Sequence, residues 1–117
     1  MNIYRENILE HYKNPNNQGN LANHNFKCHA HNPSCGDEIE VKLKIENKKI
    51  KDAKFIAKGC AISIASADIL LDYLKDKNIS EIKKIDEKKL LSLLGTKLSP
   101  SRINCALLSL QALKQIK

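Results

Sequence analysis

Aromatic residues and arginine are scarce in this sequence. Phe, Tyr and Trp together make up 4 % of its 117 residues, tryptophan is absent, and arginine occurs only as Arg5 and Arg102. A core must therefore be built from Ile, Leu, Val and Ala. The formal charge is nonetheless +7, carried almost wholly by lysine. Those lysines are dispersed from Lys13 to Lys117 with no aromatic interleaved, which argues against base stacking and against a nucleic-acid partner. A solvated lysine surface accounts for most of the charge, and an acidic protein partner is the sharper reading. No apolar run approaches membrane length, and the first residues are polar and helix-like, unlike a secretion signal. These features predict a cytoplasmic protein with no membrane partner. At this length a single domain over residues 1–117 is expected.

The sequence also lacks any C-x-x-C pair. Its four cysteines, Cys28, Cys35, Cys60 and Cys105, are separated by 7, 25 and 45 residues. That spacing excludes a zinc ribbon and a thioredoxin-type motif. In a reducing compartment such thiols argue for metal or sulfur chemistry before disulfides. A metal site here must be assembled from distant segments.

The stretch Asn32-Pro33-Ser34-Cys35-Gly36-Asp37 is the centre of the pattern. Pro33 fixes its own φ and pushes Asn32 towards extended geometry, while Gly36 lets the chain turn so that Cys35 and Asp37 face one point. A thiolate and a carboxylate make half of a tetrahedral metal site, and Cys60 and Cys105 can complete it.

Hydrophobic periodicity places these residues. Residues 3–13 read as an amphipathic helix with Ile3, Tyr4, Ile8 and Tyr12 on one side and Asn2 as its cap. His11 beside that stripe reads as a packing or surface histidine. Asn14 to Asn20 breaks regular structure. Alternation from His24 to Asn32 predicts a strand with Phe26, Cys28 and Ala30 on one face and Lys27, His29 and His31 on the other. Cys28 is then a small buried residue, and the His29/His31 pair is able to share a metal. Asp37 to Glu46 and Ile50 to Ala57 read as a hairpin of two half-buried strands. A helix follows from Ala61 to about Lys75. Cys60 stands at its N-terminus, where unpaired N–H groups and the dipole favour a thiolate.

Ser80 and Asp86 read as caps of two short helices, the second ending at Gly95. Ser99 as N-cap and Pro100 at the first position start the last helix, with Ile103, Ala106, Leu107, Leu110 and Leu113 as its core stripe. Cys105 falls about 200° round from Ile103 and so off that stripe. Arg102 lies one turn before Cys105, suited to lowering the thiol pKa or holding an anion. Cys105 is on this reading the thiol that accepts sulfur from a persulfide, with Arg102 modulating it.

Three thiolates and one carboxylate suit Zn²⁺, and equally the terminal positions around a [2Fe–2S] cluster. The single hard ligand makes a site that can open and hand on its contents.

The sequence resembles the IscU/SufU/NifU N-terminal family of iron–sulfur assembly proteins through nearly its whole length. The likeness rests on Glu10-His11-Tyr12-Lys13-Asn14-Pro15 with Asn17 and Gly19, and on Asn32 to Asp37. It continues in Gly59-Cys60-Ala61-Ile62-Ser63-Ile64-Ala65-Ser66-Ala67 and in Ser99-Pro100-Ser101-Arg102-Ile103-Asn104-Cys105-Ala106-Leu107-Leu108. The resemblance implies an α+β fold, a small antiparallel three-stranded sheet with helices packed on one face. It implies Cys35, Asp37, Cys60 and Cys105 as the metal or cluster positions, carrying a transient [2Fe–2S] cluster or Zn²⁺. It also implies a cysteine desulfurase of the IscS/SufS kind as partner and a downstream cluster carrier or acceptor. Asn104 stands where IscU-type members carry histidine, and Leu98-Ser99-Pro100-Ser101-Arg102 replaces their Leu-Pro-Pro-Val-Lys chaperone-recognition stretch. The 45 residues between Cys60 and Cys105 leave no room for the segment that SufU-type members add there. The sequence thus stands between a non-enzymatic scaffold and a zinc-dependent sulfurtransferase.

Overall fold

The structure, a computed structural model, describes residues 3–33, 36–95 and 98–116. Cys35 and the expected helix cap Asn2 lie outside them. The order is α1 (Ile3–Lys13), β1 (Phe26–Asn32), β2 (Asp37–Glu46), β3 (Lys49–Lys58), α2 (Ala61–Leu74), α3 (Ser80–Lys84), α4 (Glu87–Leu94) and α5 (Pro100–Leu113). The three strands form one antiparallel sheet in the order β1-β2-β3. This is the expected α+β fold.

Strict alternation in the strands decides which face is covered. Cys28, Ile39, Val41, Leu43, Ile50, Ala53 and Phe55 are all buried on one side. Helices α2 and α5 pack over that side, burying Leu70, Leu71, Leu74, Leu108 and Leu113 against it. Each such side chain contributes about 1.5–3 kcal/mol relative to exposure. The other face carries Lys27, His29, His31, Glu38, Glu40, Lys42 and Lys54, all exposed or half-buried.

Connections fix the register. Asn47 and Lys48 both adopt positive φ, 52° and 65°, giving the two-residue hairpin turn whose twist matches that of β2 and β3. Between β1 and β2, Gly36 takes φ 74° and its N–H donates to the Asn32 carbonyl at 2.9 Å. The turn brings Asp37 opposite Asn32 as the first residue of β2. On the outer edge of β3, Phe55 donates to the Asn17 carbonyl and accepts from Gly19 N–H, both at 2.8 Å, so the loop after α1 covers that edge.

Three local expectations change. Tyr12 is 42 % exposed, whereas Ile8 is buried and His11 half-buried, so α1 turns Ile8 and His11 inward and leaves Tyr12 outside. Ser80 does not cap α3; its N–H donates to Asn78 Oδ1 at 2.9 Å, an Asx-type turn one step earlier. In α5 the buried arc is broader than one stripe: Cys105, Ala106, Leu108, Ser109, Leu110, Ala112 and Leu113 are buried, and Ile103 and Leu107 only half-buried. Cys105 therefore lies within the buried face. The reason is that α5 packs against both the sheet and α2, which together enclose more of its circumference than one partner would. Asp86 does cap α4, accepting from Lys89 N–H at 2.8 Å, and Gly95 ends it in the left-handed region. No described helix is long and apolar enough to cross a membrane.

Candidate metal centre

Three segments meet at one end of the sheet. Asp37 starts β2, Cys60 stands at the N-cap position of α2, and Cys105 comes from the second turn of α5. One ligand atom from each lies within 4.8 Å of the other two. Asp37 is only 2 % exposed, and a buried carboxylate must be compensated by donors or charge. Its Oδ1 accepts from Cys60 N–H at 3.3 Å, one of the free donors at the helix start. Its Oδ2 accepts from the Ser63 hydroxyl at 2.5 Å and has Cys60 Sγ at 3.6 Å.

Gly59 makes that approach possible. A Cβ on Gly59 would lie 2.5 Å from both Cγ and Oδ1 of Asp37, closer than any side chain tolerates. The Lys58-Gly59-Cys60 junction thus lets the strand end pass directly over the carboxylate before α2 begins.

Ser63 ties the centre together. Besides holding Asp37, its oxygen is 3.6 Å from Cys60 Sγ and 3.2 Å from the Cys105 carbonyl, and the residue is 3 % exposed. In the sequence Ser63 stands out only as part of the stretch Gly59 to Ala67, with no role of its own. The signal for more was its spacing, three residues beyond Cys60 and so on the same face one turn into the helix.

The donor set fits a metal. Around a tetrahedral ion with bonds of about 2.0–2.3 Å, neighbouring ligand atoms stand about 3.3–3.8 Å apart, a contraction from the observed spread. Two sulfurs and an oxygen suit zinc or iron, with a position remaining for a fourth ligand.

The other residues singled out in the sequence lie elsewhere. Arg102 is exposed on the first turn of α5 and forms no hydrogen bond or ion pair among the described residues. Cys28 is buried under the sheet, as expected of a core residue, and desolvation pushes its thiol pKa up to about 12, with Glu40 adding to the rise and a Val41 backbone hydrogen bond opposing it. His29 and His31 lie on the exposed sheet face. His11 is bound: its Nδ1 is 2.5 Å from Oδ2 of the fully buried Asp68. Asp68 Oδ1 also accepts from the backbone N–H and the side-chain amide of Asn17, at 2.8 and 2.9 Å. With Asp72, His11 and Asp68 form a second close set of ligand atoms. Asn16 and Asn17 donate to Asp72, and Lys75 donates to Asn17, so the carboxylates of this set are satisfied by the protein's own donors.

Comparison with known proteins agrees with this geometry. Residues 3–116 match the family described as the NifU-like N terminal domain. The chain belongs to this family. It is 37 % identical to the zinc-dependent sulfurtransferase SufU of Bacillus subtilis, over 97 % of this chain and 88 % of that protein. It is 35 % identical to the iron–sulfur cluster assembly enzyme IscU of Drosophila melanogaster, over 96 % of this chain and 74 % of the relative. Among solved structures, FiSufU from Fervidobacterium islandicum AW-1, described as a SUF-system cluster assembly scaffold, superposes with a TM-score of 0.81 at 28 % identity. That match covers 94 % of this chain and 93 % of FiSufU. The chain is thus a member of a family of iron–sulfur assembly scaffolds and sulfur acceptors, and its Asp37/Cys60/Cys105 set is the candidate centre.

Proposed function

We propose that this protein accepts sulfur from a cysteine desulfurase and holds a labile [2Fe–2S] cluster on Cys35, Asp37, Cys60 and Cys105 until an acceptor protein takes it. The cluster is cargo in this reading. The observation that carries it is the convergence of Asp37, Cys60 and Cys105, one hard and two soft ligand atoms within 4.8 Å. A carboxylate among thiolates binds iron less covalently and gives an acceptor a place to begin ligand exchange. Cys105 is the sulfur acceptor: its thiolate attacks the outer sulfur of the desulfurase persulfide, forming a new S–S bond and releasing the desulfurase thiolate. Cys105 is 9 % exposed, so the partner must reach a largely covered thiol. Arg102, exposed one turn earlier, supplies a positive charge at that approach.

Anaerobic reconstitution with Fe²⁺, cysteine, a desulfurase and a dithiol reductant, which converts the transferred persulfide sulfur to sulfide, tests the reading. Cluster absorption should appear, vanish in Cys60→Ala, and persist longer in Asp37→Ala, where the exchangeable ligand is gone. Absence of cluster absorption in the unmodified protein would sink the scaffold.

A second reading is a zinc-dependent sulfur relay that builds no cluster. It is favoured by the 37 % identity to the Bacillus subtilis sulfurtransferase. Here zinc sits on the same residues, and desulfurase turnover rises while one added sulfur atom accumulates on the chain. Metal analysis of freshly purified protein, beside mass spectrometry after incubation with desulfurase and cysteine, separates the two. Peptide mapping that finds the sulfur on Cys60 would reassign the acceptor to the more exposed thiol.

A further inference from the structure

The sheet face turned away from the helices carries two histidines and two glutamates in register with one another. His29 and His31 are two apart on β1 and so project from the same face. The β1–β2 register sets Glu40 directly opposite His29 and Glu38 directly opposite His31. Directly paired residues have Cβ atoms about 4.5–5.5 Å apart, within reach of one ion for side chains as long as His and Glu. His29, Glu38 and Glu40 also line a depression of about 220 Å³, bounded on β3 by Ile56 and Lys58.

Availability separates this set from the one around His11. The carboxylates of Asp68 and Asp72 already accept from Asn16, Asn17 and His11. By contrast, the side chains of His29, His31 and Glu38 form no hydrogen bond or ion pair among the described residues. Glu40 has only Lys42, at 3.6 Å on its own strand. Two imidazoles and two carboxylates hold up to four nitrogen and oxygen ligand atoms and two negative charges, matching a divalent ion. Imidazole selects borderline transition ions over Mg²⁺ or Ca²⁺.

We propose that His29, His31, Glu38 and Glu40 bind a divalent transition-metal ion, of the class of Zn²⁺, Co²⁺ or Ni²⁺, on the exposed face of the sheet. The site is separate from the thiolate centre. Asp37 and Glu38 are consecutive in β2 and point to opposite faces, so the strand itself stands between the two ions. Unlike those of the thiolate centre, the ligand atoms of these exposed side chains are not gathered within 4.8 Å of one another and must close on the ion as it binds, which makes this the weaker and more exchangeable of the two sites.

Anaerobic titration of the full reduced chain with Co²⁺ tests this independently of the proposed function. Cobalt on thiolates gives intense sulfur-to-metal charge-transfer absorption; cobalt on His and Glu gives only weak d–d bands. The expected result is a class of bound Co²⁺ with d–d bands alone, lost in His29→Ala/His31→Ala and weakened about tenfold or more in Glu38→Gln/Glu40→Gln. All four positions are on the surface, and circular dichroism verifies that the variants fold. Absence of that class from the unmodified chain overturns the proposal. So does its survival in the double histidine variant, its loss in His11→Ala instead, or full affinity in the double glutamine variant. If the charge-transfer class alone is missing, the thiolate reading fails and this site stands.

Discussion

Helix α2 carries a close group of metal-binding residue types near each end, and the two groups differ in who satisfies them. At its start, Cys60 and Ser63 meet Asp37 and Cys105; further along, Asp68 and Asp72 meet His11. Asp68 is compensated by two Asn17 donors and a histidine, and Lys75 in turn holds Asn17. His11 lies on α1 and Asn17 on the loop that covers the β3 edge, while Lys75 follows α2. This group locks the first helix and its loop to the rest of the fold. In the group around Asp37 the carboxylate accepts from the Cys60 N–H and the Ser63 hydroxyl, and the other two members are soft sulfur atoms suited to zinc or iron. Proximity of ligand types is thus not enough to mark a working site; the two groups are told apart by the softness of the sulfur atoms in one and the all-nitrogen-and-oxygen set of the other.

The comparison can be broken by experiment. The largest effect should follow Cys60→Ala. Zn²⁺ binding at the thiolate centre is lost, while urea unfolding of the metal-free chain moves by no more than about 1 kcal/mol. A metal-free chain that unfolds outright would mean the thiol is structural. Asp68→Ala should show the reverse: a stability loss of about 3 kcal/mol from the donors left without an acceptor, with Zn²⁺ affinity retained at temperatures where the variant is folded. If Zn²⁺ affinity falls instead, the two groups are not separable. Ser63→Ala is smaller and sharpens the contrast. Removing the donor to Asp37 should weaken Zn²⁺ about 10–100-fold, and Ser63→Thr, which keeps the hydroxyl, should restore part of it. An unchanged affinity would reduce Ser63 to packing.

The smallest effect concerns Cys28, a cysteine outside both groups. Burial raises its pKa from 9.0 to about 12, so the folded state keeps the proton that the unfolded state gives up. The corresponding stability is fully present below pH 9 and is lost as pH climbs through that interval. Cys28→Ala should therefore lower stability at neutral pH but flatten the alkaline limb between those values. Equal alkaline slopes in both proteins would refute the assignment.

Much of the fold was legible because its periodicities are clean. The alternation of Ile39, Val41, Leu43 and Ile45, the Asp86 and Gly95 helix signals and the Ser99-Pro100 start each have a local physical cause and were found where expected. The readings that changed involve surfaces enclosed by more than one partner. A single-stripe view put Cys105 off the core, whereas α5 is covered by both the sheet and α2. It put Tyr12 inward, whereas the buried carboxylate of Asp68 draws His11 to that side. The pairing of Arg102 with Cys105 rests on helix spacing, and Arg102 stands exposed on the first turn of α5, one turn before that thiol.

The sequence by itself determined which chemistry is on offer: thiols too far apart for a ribbon, one carboxylate set behind a glycine, and strands and helices to carry them. Only the tertiary structure decided that Asp37, Cys60 and Cys105 converge, that Gly59 clears the path for the carboxylate, and that Ser63 holds it. Local spacing encodes the face on which a residue stands. Which faces meet depends on packing energy summed over the whole core, and no short stretch of sequence contains that sum.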